Sequence, residues 1–70
     1  MRTHRYIITI LGGLGDTFRE VFGDFRIEPD GTSTVLVGDL DQAALYGVLS
    51  RIQSFGLELV GLSRLADGTS

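Results

Sequence analysis

Residues 40–55, LDQAALYGVLSRIQSF, read as one amphipathic helix, and that helix constrains everything else a chain of 70 residues can build. Ala44, Leu45, Val48, Leu49, Ile52 and Phe55 recur at the spacings that put side chains on one helical face. Gln42, Ser50, Arg51 and Gln53 fall on the opposite face, where water solvates them. Asp39 followed three residues later by Gln42 has the form of a capping box, in which the carboxylate accepts a first-turn N–H and the amide reaches back. Gly56 stands where a helix ends on a residue at positive φ. Gly47 is the anomaly, because glycine inside a helix costs about 1 kcal/mol relative to alanine. Close approach of another backbone or a bulky side chain would explain it, and so would a tolerated imperfection. One apolar stripe needs one apolar surface, and the rest of the chain reads as a small sheet that supplies it.

Taken in order, residues 1–5 are polar and are expected to be flexible. Tyr6–Leu11, YIITIL, is β-branched and apolar over a strand's length. Gly12-Gly13-Leu14-Gly15 breaks it. A short helix is expected next, capped by Asp16 or Thr17, with Leu14, Phe18, Val21 and Phe22 on one face and Gly23 ending it. Phe25–Glu28 alternates apolar and charged residues, as a half-buried strand does. Pro29-Asp30-Gly31 signals a turn, and Thr32–Val37 returns as its hairpin partner. After the long helix, Leu57–Arg64 is a fourth strand, and 66–70 is expected to be a disordered tail. The order β-α-β-β-α-β with right-handed crossovers specifies a single α+β ferredoxin-like domain over residues 6–65. Its four-stranded antiparallel sheet should run in the order 4-1-3-2, with both helices on one face.

Composition bounds what such a domain does. A chain this short lies near the lower limit for folding alone, so it must pack efficiently or gain burial from a second chain. Nine acidic residues against six basic ones give a net charge of −3, which disfavours general binding to nucleic acid or anionic membranes. Every basic residue is arginine, a bias that suits a GC-rich genome. Cysteine is absent, which removes disulfides and thiolate metal sites. No apolar run reaches the roughly 18 residues of a membrane span, and no signal-peptide pattern follows Arg2 and Arg5. A cytoplasmic location is expected.

The helices can cover one face of the sheet, and an open face in water should alternate with polar residues. The central strands instead carry large aliphatic side chains on both faces. Tyr6, Ile8 and Ile10 suit the helix side, which leaves Ile7, Thr9, Leu11, Val35 and Val37 on the open face as the candidate interface. Exposed apolar patches mark interfaces, so a homodimer through this face is expected. A ligand pocket under the same face and a simply tolerated exposure are the competing readings.

Few motifs carry chemistry. Gly12, Gly13 and Gly15 form a candidate ligand loop, since glycines ahead of a helix can cradle an anion with backbone N–H groups. The spacing fits neither a dinucleotide fingerprint nor a P-loop, Asp16 opposes an anion, and a tight strand-to-helix connection explains the glycines as well. The loop's place after the first strand resembles that of small-molecule-binding ACT domains, without the acidic residue and Pro-Gly those domains carry. His4 has no second histidine or any cysteine to share a zinc ion with, and nothing suggests that it is held for a Ser-His-Asp set. Asp39 and Asp41 are explained by a helix start, while Arg26 and Arg64 on or near edge strands discourage edge pairing. No catalytic residue, metal or cofactor is expected. RNA-recognition domains of this fold need aromatic residues on the strand here reading TSTVLV, metal chaperones need Cys-x-x-Cys, and acylphosphatases need an arginine in the loop reading LGGLG.

The run LDQAALYGVLSRIQSFGLELVGL resembles a group of small actinobacterial ferredoxin-like proteins of uncharacterised function. They begin with a Tyr-led strand and carry the helix D-Q-A-A-L-x-G-x-L-x-R-I followed by G-L-x-L. The likeness extends from Tyr6 to about Leu65 and rests on Asp41, Gln42, Ala43, Ala44, Leu45, Gly47 and Leu49. It implies an actinobacterial cytoplasmic protein and supplies no catalytic or binding residues. The group is associated with polar residues at the positions of Ile7 and Val37, which here are aliphatic, and that difference favours either an apolar interface in this chain or the opposite strand phase. The leading expectation is a non-enzymatic interaction or regulatory module that self-associates. A small-molecule sensor using the glycine loop or a dimer-interface pocket comes second, and a dimeric α+β barrel enzyme third.

Overall fold

The computed structural model describes residues 2–12 and 15–65; the expectations for Met1, Gly13, Leu14 and the tail over 66–70 fall outside the described residues. Its elements are β1 (His4–Leu11), α1 (Asp16–Val21), β2 (Arg26–Asp30), β3 (Ser33–Leu40), α2 (Gln42–Ser54) and β4 (Glu58–Arg64). The strands form one antiparallel sheet in the order β2-β3-β1-β4, with β1 and β3 at its centre. This is the ferredoxin-like arrangement read from the sequence.

Alternation along the central strands decides which face the helices cover. Ile8 and Ile10 of β1 and Leu36 of β3 are fully buried, and they meet Phe18 and Phe22 together with Leu45, Val48 and Ile52 of α2. Phe22 sits at the hub, with its ring centroid 4.7 Å from Phe18, 6.1 Å from Phe25 and 6.2 Å from Phe55. Two residues expected on the apolar stripe of α2 do not join the core: Ala44 is exposed, and Phe55 remains 44% exposed beyond its ring contact. Thr34 is fully buried on the helix side, where its hydroxyl donates to the Gly12 carbonyl at 2.7 Å. The bond satisfies a polar group that would otherwise be stranded in the core.

Strand and helix ends differ from the sequence reading for identifiable reasons. Strand β1 begins at His4 rather than Tyr6, because β3 runs on to Leu40 and offers ladder partners for His4 and Arg5. Asp39 therefore does not cap α2. It stands opposite Arg5 in the ladder, and its Oδ1 pairs with the guanidinium Nε at 3.1 Å. The cap is Asp41, whose Oδ1 accepts the Ala44 N–H at 2.7 Å. Gln42 does not reach back; its amide donates to the Tyr46 hydroxyl at 3.3 Å. Helix α1 begins at Asp16 with Gly15, in extended conformation, at its N-cap, so positions 16 and 17 fall inside the helix and not at the cap expected for Asp16 or Thr17. At the other end of α2, Gly56 at φ +71 lets Gly56 N–H reach the Gln53 carbonyl and Leu57 N–H reach the Ile52 carbonyl, a Schellman closure.

The β2–β3 hairpin closes through Gly31 and Thr32, and Pro29 and Asp30 belong to β2 itself. Proline is tolerated there because β2 is an edge strand. In β4 the pairing with β1 shifts between Thr9 and Ile10, so that Gly61 faces Thr9 while Leu59 faces Ile10, with Val60 the extra residue of a bulge. Leu59 and Leu62 therefore share the helix side although they are three residues apart, which strict alternation excludes.

Candidate functional site

The open face is built from the odd-numbered positions of β1 and β3. Cross-strand partners share a face, so Arg26, Val37, Ile7 and Ser63 form one row across the sheet. Glu28, Val35, Thr9 and Gly61 form the next row, and Asp30, Ser33, Leu11 and Glu58 the third. Ile7, Thr9, Val35 and Val37 are half-buried by their neighbours alone, and Leu11 is 44% exposed. All five candidate interface residues thus lie together on the face opposite the helices.

Charge on this face is polarised along the strands. At one end lie Arg5, paired with Asp39, and Arg26, which meets Glu28 at 2.7 Å. A hydrogen bond to the Asp39 carboxylate, and then its charge, raises the Arg5 pKa above its ordinary value. A shallow depression of about 190 Å³ lies between Arg5, Arg26, Val37 and Asp39. The other end carries Asp30 and Glu58.

The candidate ligand loop is only partly within the described residues, since Gly13 falls outside them. Gly12 adopts φ +79 and is tied to β3 twice: its N–H donates to Thr32 at 2.9 Å and its carbonyl accepts from Thr34. The N–H that an anion would need is therefore already engaged. The Gly15 carbonyl accepts the Arg19 N–H and begins the six-residue α1. Both glycines serve the strand-to-helix connection.

A feature that sequence reasoning missed lies at the opposite end of β1. A cleft of about 630 Å³ is lined by Arg2, His4 and Tyr6, by Arg64 of β4, and by Asp41, Gln42, Ala43 and Tyr46 around the first turns of α2. His4 and Tyr6 meet edge to face with centroids 6.5 Å apart. The even numbering of His4 and Tyr6 and the Tyr6–Arg64 pairing, both read from the ladder, put these side chains on the helix side of the sheet. No local motif marks the cleft, because its parts come from three separated segments. Among the described residues, no group of three His, Cys, Asp or Glu is placed to hold a metal ion, and no helix is long and apolar enough to cross a membrane.

Fold and surface together define a small α+β sandwich with one helix-covered face and one open face. Residues 5–63 match the family model described as Domain of unknown function (DUF8691), and the chain belongs to that family. No curated protein and no solved structure matches it.

Proposed function

We propose that the protein is a non-enzymatic cytoplasmic interaction module that forms a homodimer through the open face of its sheet. The observation that carries this reading is the apolar centre of Ile7, Thr9, Val35 and Val37, left uncovered and bordered by charges. An apolar centre with a polar rim is the anatomy of a protein interface. A second copy suits it because the rim is polarised. A two-fold axis running across the strands lays the arginine end of one copy over the acidic end of the other. Such packing also supplies the burial that a chain of 70 residues is short of. The arginine-only basic set is in keeping with an actinobacterial origin.

Molar mass by light scattering at micromolar concentration tests the proposal. The expected result is a dimer for the native chain and a monomer for Val37→Arg, which puts a bulky charged side chain into the apolar centre of the interface. A native monomer, or a Val37→Arg dimer, would overturn it.

A further inference from the structure

We propose that the cleft between the start of β1, the end of β4 and the first turns of α2 binds a small organic anion in which a carboxylate or phosphate is joined to a flat ring. The residues that converge there are unusual for this chain. Its only histidine and both of its tyrosines line this one cleft, together with two of its six arginines. They come from positions 2–6, 42–46 and 64, so no local sequence preference gathers them.

Charge points the same way. The chain is acidic overall, yet Arg2 and Arg64 flank the cleft without an ion pair to any described residue, whereas Arg5 and Arg26 are paired with Asp39 and Glu28. The acid on the cleft wall, Asp41, has its Oδ1 engaged by the Ala44 N–H. A guanidinium presents paired N–H donors that suit the paired oxygens of a carboxylate or phosphate. Rings account for the rest of the wall. Tyr46 is 60% exposed, with its hydroxyl held by Gln42, and Tyr6 stands half-buried beside His4. A flat ligand ring laid against Tyr46 would remove that apolar surface from water. The volume of about 630 Å³ is within the roughly 300–1,000 Å³ of small-molecule sites. The cleft lies on the helix side, so this inference does not depend on dimerisation through the open face.

Amide chemical-shift titration of the ¹⁵N-labelled full chain with benzoate and with phenyl phosphate tests the assignment, with neutral benzyl alcohol as control. At least one anion should shift the amides of Tyr6, Gln42–Tyr46 and Arg64 with a Kd on the order of 1 mM or tighter, and benzyl alcohol should not. Benzoate alone would assign a carboxylate headgroup, phenyl phosphate alone a phosphate. Arg64→Gln should weaken binding about tenfold, the scale of a lost charged hydrogen bond, while Arg51→Gln, an exposed arginine of α2 outside the cleft, leaves it unchanged. Unmoved cleft amides with both anions at about 10 mM, equal shifts with benzyl alcohol, or unaltered binding to a folded Arg64→Gln chain would overturn it.

Discussion

Two aspartates two residues apart do different work, and the difference is one of hydrogen-bond geometry. Asp41 holds a first-turn N–H of α2 at 2.7 Å, whereas Asp39 pairs with an exposed arginine across the ladder. Asp41→Ala should therefore lower stability by about 1 kcal/mol, the usual cost of a lost N-cap. Asp39→Ala should cost less than about 0.5 kcal/mol, because both partners are more than half exposed and water screens them. Urea unfolding of the two variants side by side checks the order. Gly47 sits in α2 with nothing among the described residues within 4 Å of where a Cβ would stand, so none of them makes the close approach considered for it. Gly47→Ala should stabilise the protein by about 0.5–1 kcal/mol, read as a higher urea midpoint with the molar mass unchanged.

Elements meet through contacts that no single segment announces. Gly38 of β3 has the ring of Phe25 pressed against it, and an added Cβ would stand 2.6 Å from the Phe25 Cδ1 atom. Glycine thus lets Phe25 close the edge of the core between β2 and Phe22. Gly38→Ala must displace that ring, and a loss of about 1–3 kcal/mol is expected from such overpacking, measurable by thermal or urea unfolding. A companion Phe25→Leu change should lessen the penalty of the added methyl. The bulge at Val60 acts on the same scale. It re-phases β4 so that both Leu59 and Leu62 turn to the helix side, and it leaves Gly61 and Ser63 at the margin of the open face.

For the molecule as a whole, one thin core must hold four strands. The helices use the even positions of β1 and β3 and leave the odd ones as a second apolar surface. A sheet two residue layers thick cannot hide both faces with two helices on one side, so that surface stays open until another body covers it. The Val37→Arg test belongs to this scale, because the substitution touches nothing in the helix-side core. Arg64→Gln probes the other side of the sheet, and the two experiments report on separate surfaces.

Much of the fold was legible in the chain because its signals are local. The 3.6-residue stripe of α2, the glycine that ends it and the β-branched runs each specify an element through contacts between near neighbours. The phase of β1 was no more than a preference in the sequence, with Tyr6, Ile8 and Ile10 suiting the helix side, and the burial of Ile8 and Ile10 under the helices decided it. What the sequence left open depends on partners distant along the chain. Asp39 resembles a cap until β1 extends to Arg5 and claims it for the ladder. Strict alternation hides the bulge at Val60, because a register shift is a property of two strands and not of one. His4 reads as a tail residue until Leu40 pairs with it. Only then do His4, Tyr6, Tyr46 and Arg64 stand around one cleft. Local preference determined the elements of this protein, and long-range pairing decided which side chains share a surface.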